Sequence, residues 1–339
     1  MRDYFIRRFI LIPPTLLGIT LIVFMITRIV PGGPLERAIM ESQQAEMSSG
    51  RSQAGGQNMA LSKEQLAELK AYYGFDKPAI VSYVHWIGKV VQGDLGRSYR
   101  YNEPVWDVIR DRFPVSLYYG LITLVLTYAI SIPLGILKAI KHRTVVDNVS
   151  SIFIFMGYAV PGYVLGALLL LLFAARLEWF PMGGFTSYEF DDLSLGCKAF
   201  DLVHHSVLPL ICYLVGSFAV TTMLMKNHLL DNLAADYIRT AIAKGVSFKQ
   251  AVLRHALRNS LIPIATTFGQ NITLLVSGSF LIETIFDING FGLLGLSSIF
   301  DRDYPVVMGI IFLASLLLLI GNIISDALVA MIDPRISFK

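Results

Sequence analysis

The stretch DYIRTAIAKGVSFKQAVLRHALRNSLIP, residues 236–263, carries the most detailed local pattern in this chain and lies between two long apolar segments. Apolar and small side chains recur on one helical face across Leu230–Ala241, which predicts an amphipathic helix. Gly245 interrupts that helix, because glycine readily adopts the left-handed backbone that ends a helix. The pattern therefore predicts a folded projection, since a plain connection needs no helix of this kind.

A second helix is predicted directly after the glycine. Ser247 and Gln250 form a capping box, so this helix begins at Phe248. The small residues within 240–243 keep the approach to the turn low, so another protein can come close. Helices lying on lipid headgroups are the alternative. That arrangement needs no glycine-centred turn, and docking of a partner protein is favoured.

Outside this loop the chain is dominated by apolar segments. Hydrophobic residues make up 54% of the sequence and charged residues 16%, against roughly 45–50% and 25% in soluble domains. A helix of about 20 residues crosses the bilayer core. The segments of that length are Phe9–Val30, Val115–Leu137, Ser151–Ala174, Val207–Met225, Ile264–Ile282 and Val306–Ala327. The prolines at 13, 14, 133, 161 and 209 lie in or near these segments and predict kinks, not breaks.

The distribution of Lys and Arg in the short loops predicts the orientation, because these residues are enriched on the cytoplasmic side. The two ends of the chain, Lys138–Ser150 and Lys226–Ile262 together carry 14 of them. The opposite short loops, 175–206 and 283–305, carry 3. Both termini and the loop Lys226–Pro263 are therefore predicted to be cytoplasmic.

The long segment between the first two spans is predicted to be external. Residues 41–60 are rich in Gln, Ser and Gly and are expected to be flexible. A helix with a Ser62–Gln65 capping box and a stop at Gly74 should follow. A further helix should start at Pro78 and carry Ile80, Val84, Ile87 and Val91 on one face. The predicted parts are 1–30 with the first span, 31–114 as an external helical cap, 115–332 as a five-helix core that includes the loop 226–263, and 333–339 as a tail.

Several motifs stand in a fixed order along nearly the whole chain. They are Gly74-Phe75-Asp76-Lys77-Pro78, Gly93-Asp94-Leu95-Gly96, His205 with Leu208-Pro209, Asp236-Tyr237-Ile238-Arg239-Thr240-Ala241-Ile242-Ala243-Lys244-Gly245, His255-Ala256-Leu257-Arg258-Asn259 with Pro263, Glu283-Thr284-Ile285-Phe286, Gly290-Phe291-Gly292, Arg302-Asp303-Tyr304-Pro305-Val306 and Asp333-Pro334-Arg335-Ile336. This series resembles the permease subunits of dipeptide and oligopeptide ABC importers that depend on a binding protein. Pro31-Gly32-Gly33-Pro34 and the insert near 41–60 resemble the Yej-type peptide and microcin C subgroup.

The resemblance implies an all-α permease fold of the type I ABC importer (MetI-like) class, with six transmembrane helices and a small external helical cap. The loop resembles the EAA loop, whose coupling helix sits in a groove of the ATPase. The coupling residues that the match implies are Asp236, Tyr237, Arg239, Thr240, Ala241, Ala243, Lys244, Gly245, Val246, Ser247, Phe248, Arg254 and Arg258. The expected contact centres on Thr240–Phe248.

The resemblance also implies the partners and the location. A second homologous permease subunit, one or two ABC ATPase subunits and an extracytoplasmic substrate-binding protein are expected, in a bacterial inner membrane whose lipid surrounds the helices. The cargo implied is a peptide or peptide-like compound. Because the chain has no G-x-x-x-x-G-K-[ST] phosphate loop, ATP and Mg should be bound by the ATPase partners.

Four residues near the fifth span are candidates for a pathway or gate. Gln270 and Asn271 either line a wet pathway or hydrogen-bond between helices, and interhelical packing is favoured. Glu283 is either functional or a solvated helix end, with neither favoured. Phe291, between two glycines, either forms an outer gate or belongs to an ordinary turn.

Other classes of function find less support in the sequence. No catalytic nucleophile with a base partner, no metal-ligand spacing and no nucleic-acid patch is recognised, and Cys197 and Cys212 are not expected to pair. A secondary transporter driven by an ion gradient is one alternative, although the span interiors are nearly free of the acids that such a site needs. A non-transporting scaffold that uses the same loop is the other alternative.

Overall fold

A computed structural model describes residues 2–30, 40, 70, 76–277 and 279–333. The α-helices of these residues run in the order α1 Arg2–Ile29, α2 Ala79–Val91, α3 Val105–Ile140, α4 Val145–Ala159, α5 Gly162–Leu169, α6 Leu195–Ala234, α7 Asp236–Ala243, α8 Phe248–Ala251, α9 Leu257–Ser260, α10 Ile262–Ser277, α11 Phe280–Ile285, α12 Phe291–Phe300 and α13 Tyr304–Ile332. Two π-helical turns, Leu170–Arg176 and Val252–Ala256, and a 3-10 turn, Phe190–Asp192, complete the helical part. The predicted all-α class is confirmed.

Among the described residues, four helices are long and apolar enough to cross a membrane without interruption: α1, α3, α6 and α13. α3, α6 and α13 contain the second, fourth and sixth predicted spans, and α1 contains the first except for Val30. The third predicted span is a bent pair, α4 followed by α5 and its π-helical turn, and counting the pair as one span gives five. The fifth predicted span falls on α10, which has 16 residues, and on α11. The count of six single spanning helices is therefore not reproduced within the described residues.

The bend in the third span lies at Val160 and Pro161. The two arms meet at 93°, and Val160 has an extended backbone with φ −92° and ψ 120°. Proline lacks an amide hydrogen and pushes the preceding residue out of the helical region, so both effects end α4 here. The prediction of a kink was wrong at this proline. Pro133 and Pro209 lie inside α3 and α6, so the expectation that these two prolines do not break their spans is confirmed.

The contacts of the chain separate two compact units. The first consists of Met1–Ile12, Arg112–Leu294 and Leu316–Lys339. One buried apolar cluster of this unit contains Tyr119, Leu208, Cys212, Ile282, Phe286 and Ile288. Another contains Ala139, Met225, Leu229, Ile238, Ala251, Ala256 and Ile264. We call this second group the base cluster, because the loop 236–263 is built on it.

The second unit consists of Pro13–Asp111 and Gly295–Ser315. Asp303 organises its loop after α2, since this carboxylate accepts the Ser98 hydroxyl and the backbone amides of Tyr99, at 3.0 Å, and Arg100, at 3.4 Å. The same loop is held by the ion pair of Arg100 with Asp301, and this hydrogen bond raises the pKa of the Arg100 guanidinium. Motifs two hundred residues apart in sequence thus form one structure.

The helix predicted from Pro78 is confirmed as α2, with Pro78 at its N-cap. Its packed side differs from the predicted one. Tyr83 is buried and donates to the Leu17 carbonyl at 2.9 Å, and its ring contacts Phe24. Of the predicted face, only Ile87 packs against this cluster, whereas Ile80, Val84 and Val91 are exposed. The reason is that Tyr83 offers both a large apolar ring and a hydroxyl with a partner, which an aliphatic stripe does not.

The remaining sequence predictions for the external segment lie outside the described residues. They are the flexible insert 41–60 and the helix from Ser62 to Gly74. The boundaries of the four predicted parts stay predictions.

Candidate functional site

The loop between the fourth and fifth spans forms two short helices around a glycine turn. We call α7, the turn 244–247 and α8 the knob. α6 ends at Ala234 and α7 begins at Asp236, because Ala235 between them is extended with ψ 147°. The prediction of one continuous helix across Leu230–Ala241 was therefore wrong. The break lets Ile238 turn into the base cluster, where it is 2% exposed.

One side of the knob is fixed to the base cluster. Ile238 of α7 and Ala251 of α8 are buried against Met225 and Leu229 of α6. Burying an isoleucine side chain contributes about 1.5–3 kcal/mol. This packing holds both arms of the knob on the membrane helix that precedes them.

The turn at Gly245 has the full geometry of a helix C-terminal glycine motif. Gly245 has φ +90°, and its amide donates to the Ile242 carbonyl at 2.9 Å. The Val246 amide donates to the Ala241 carbonyl at 3.1 Å. These two bonds close the end of α7, as in a Schellman motif. An added Cβ at Gly245 would meet no atom within 4 Å, so the turn faces open space.

The start of the second helix is confirmed. α8 begins at Phe248, and the Gln250 amide donates to the Ser247 hydroxyl at 3.4 Å. This is the Ser half of the predicted capping box. The helix continues through a π-helical turn, Val252–Ala256, which adds one residue to a helical turn.

Most of the predicted contact residues lie on the open side of the loop. Those that are exposed are Asp236, Tyr237, Arg239, Thr240, Ala243, Lys244, Gly245, Ser247, Phe248, Arg254 and Arg258, whereas Ala241 and Val246 are half-buried. Sequence reasoning missed Ile242 and Leu253, which are 42% and 51% exposed. Both lie off the predicted apolar stripe, and an apolar residue on the polar side of a short cytoplasmic helix was the available signal.

Two of the predicted contact residues form hydrogen bonds to other helices. The Tyr237 hydroxyl donates to Asn232 Oδ1 at 2.6 Å and accepts from Asn259 Nδ2 at 3.2 Å. Arg258 Nε donates to the carbonyl of Ile332, at the end of α13. The Tyr237 bonds link α7 to α6 and α9, and the Arg258 bond links α9 to α13. Both side chains therefore help to fix the loop that carries the knob.

The four candidate pathway residues do not form one group, although the structure places Glu283 against the turn that precedes Phe291. Asn271 Nδ2 donates to the Tyr128 hydroxyl at 2.5 Å, which is the interhelical packing that the sequence favoured. Gln270 is exposed on α10. Glu283 is only 1% exposed and accepts the Leu293 amide at 2.6 Å, so it is not a solvated helix end. Phe291 is buried at the start of α12, where its amide donates to the Ser116 hydroxyl at 2.7 Å.

Comparison of the sequence with known proteins shows the family of this chain. A family profile described as "Binding-protein-dependent transport system inner membrane component" matches residues 131–338. The peptidoglycan transport system permease protein YejB of Agrobacterium fabrum is 37% identical, over 100% of this chain and 99% of its own. The oligopeptide transport system permease protein AppB of Bacillus subtilis is 37% identical over 100% of both chains, and the dipeptide transport system permease protein DppB of Escherichia coli is 32% identical over 100% of both. The chain therefore belongs to the family of inner membrane components of binding-protein-dependent transport systems, as a multi-pass permease subunit.

Proposed function

We propose that this chain forms half of a translocation pathway for peptides or peptide-like compounds in an ATP-driven importer. A second homologous permease subunit completes the pathway, and an extracytoplasmic binding protein delivers the cargo. One or two separate ABC ATPase subunits bind ATP and Mg, and the permease chain itself hydrolyses nothing. The transport systems in the relatives' names differ in cargo, and peptide or a peptide-containing compound is what their names share.

The observation that carries the proposal is a knob with a buried base and an open turn. Ile242 and Phe248 are apolar side chains, 42% and 50% exposed, on either side of Gly245. Exposed apolar side chains beside small residues suit a protein groove, because the partner gains apolar contact while the backbone approaches closely. The base cluster holds the knob, so a force applied to its tip reaches the spanning helices.

The orientation proposed is that both termini and the knob face the cytoplasm. The excess of Lys and Arg in the loops on that side supports it. ATP is available in that compartment, so the knob would lie beside an ATPase that uses it.

Gly245→Asp tests the proposal in a reconstituted complex with the ATPase, the binding protein and a labelled peptide. Aspartate visits left-handed backbone more readily than most residues. The turn is therefore kept while a charged side chain enters the contact surface. We expect the affinity for the ATPase to fall about tenfold or more, equal to about 1.4 kcal/mol, and peptide uptake to fall with it.

Gly93→Asp is the matched control, since Gly93 also has positive φ and open space around it, but lies in the predicted external segment. It should leave ATPase binding unchanged. Unchanged ATPase binding and uptake in Gly245→Asp would overturn the proposal. Uptake that persists on an ion gradient without ATP would favour a secondary transporter, and an intact complex that accumulates no peptide would favour a scaffold.

A further inference from the structure

Three charged side chains meet inside the first unit, where α3, α4 and α6 come together. Lys226 of α6 donates to both oxygens of Asp147 of α4, at 2.7 and 2.9 Å. Lys138 of α3 lies 3.1 Å from Asp147 Oδ1. Their side chains are 9%, 3% and 0% exposed, in that order of mention. We call these three residues the charge cluster.

The hydrogen bonds of the charge cluster are nearly saturated. Lys138 Nζ also donates to the Asp147 carbonyl at 2.9 Å and to the hydroxyls of Ser150, at 2.8 Å, and Ser151, at 2.7 Å. Asp147 Oδ2 accepts the Arg143 amide at 3.1 Å. Arg143 has φ +62°, a strained backbone for a residue other than glycine. The carboxylate therefore fixes the turn between α3 and α4 as well as the two lysines.

The charge cluster adjoins the base cluster beneath the knob. Ala139 and Met225 belong to the base cluster, and each is the direct sequence neighbour of a lysine of the charge cluster. Leu229, one turn after Lys226 on α6, packs in the base cluster with Ile238 of the knob. The knob, α6 and the ends of α3 and α4 are thus linked through contiguous buried contacts.

A buried ion pair is a poor source of stability, because the cost of removing charges from water offsets most of the attraction. It is a good source of a fixed geometry, since a shifted partner would leave a charge unpaired. Apolar packing alone would let α6 slide against α3 and α4 at lower cost. The charge cluster therefore fixes the positions of these three helices relative to one another beside the base cluster.

We propose that the charge cluster is the joint through which displacement of the knob reaches α3 and α4, with Lys226 and Asp147 as positioning residues. This proposal rests on the proposed function, because it assumes that a conformational change of the ATPase displaces the knob. Lys226 transmits the movement of α6, and Asp147 passes it to the α3–α4 turn and to Lys138.

Lys226→Met tests this in the complete complex, because the substitution cuts α6 from the cluster while Lys138 still pairs with Asp147. The quantity measured is labelled tripeptide imported per ATP hydrolysed. We expect assembly and ATP hydrolysis to persist and this ratio to fall about tenfold, within the usual range of coupling between sites. Lys226→Arg should restore most of the ratio. Lys141→Met is the matched control, since it removes an exposed lysine near the same turn and should leave the ratio unchanged.

If an assembled Lys226→Met complex imported as much peptide per ATP hydrolysed as the wild type, the proposal would be overturned. If that variant does not assemble, Lys226→Gln, which keeps a hydrogen-bond donor, is measured in the same way. Failure of both to assemble would show that the cluster serves assembly alone and would also overturn the proposal. The wild-type complex separates the two hypotheses, because a wild type that imports no peptide contradicts the proposed function itself.

Discussion

At the residue scale, Glu283 is a single carboxylate that joins several parts of the chain. It accepts the Leu293 amide at 2.6 Å and the Tyr213 hydroxyl at 3.3 Å, although it is only 1% exposed. The backbone at Gly290 lies so close to the Glu283 carboxylate that a Cβ there would be 2.7 Å from it. A buried carboxylate needs such partners, because an unpaired charge in an apolar setting is very costly. The residue therefore fastens the start of α12 to the end of the fifth span.

Gly290→Ala should destabilise the protein by about 1–3 kcal/mol, the usual cost of overpacking. The added Cβ would lie 2.7 Å from the Glu283 carboxylate, and this buried group has little room to shift. Gly216→Ala is the control, since its Cβ would meet no atom within 4 Å. Thermal unfolding of the purified subunit pair in detergent measures the difference. Equal midpoints for the two variants would contradict the close contact.

At the scale of elements, the knob separates a buried side from an open side on one short helix. Ile238 and Ile242 are four residues apart on α7, yet they are 2% and 42% exposed. One short helix thus presents identical side chains to the core and to the open side. The sequence pattern placed Ile238 on the apolar face of a helix, in agreement with its burial, and did not include Ile242 among the contact residues.

Ile238→Ala should destabilise the subunit by about 2–5 kcal/mol, because it opens a cavity in the base cluster. Ile242→Ala should change the unfolding midpoint little, since exposed substitutions usually fall within about 0.5 kcal/mol, but should weaken binding of the ATPase. Thermal unfolding and a pull-down with the purified ATPase are measured on both variants. Full ATPase binding by Ile242→Ala would remove this residue from the contact surface.

The third span shows how the same residue type acts differently in different elements. Pro209 lies inside α6, whereas Pro161 stands at a 93° break. Hydropathy treats both segments alike, because it records composition and not backbone direction. The break could not be read from the single proline, since neighbouring helices decide whether the freed backbone groups find partners.

At the scale of the whole molecule, the two native cysteines offer a test of orientation. Cys197 is exposed in the first turn of α6, within the segment 175–206 that is predicted to be outside, and Cys212 is buried further along the same helix. A membrane-impermeant maleimide should label Cys197 on intact spheroplasts and leave Cys212 unlabelled. In a Lys249→Cys variant, labelling of the knob should require an opened membrane. Labelling of Lys249→Cys from outside, with Cys197 protected, would reverse the proposed orientation.

The sequence by itself determined the apolar segments, the glycine turn, the start of α8 at Phe248 and the family. Each of these depends on residues close together in sequence: about 20 for a span, and a few for a cap or a helix end. Local chemistry decides such features before distant residues are considered. This is why the tip of the knob was predicted well.

Only the tertiary structure decided the break at Ala235, the residues against which Ile238 packs and the pairing of Lys138 and Lys226 with Asp147. The sequence counted both lysines among the cytoplasmic loop charges, as if they were solvated. Their partner lies on another helix, and the free energy of burying a charge depends on what meets it there. Periodicity and charge counts do not show which residues of distant helices come into contact. The turn at the tip of the knob could therefore be predicted, whereas the buried contacts beneath it could not.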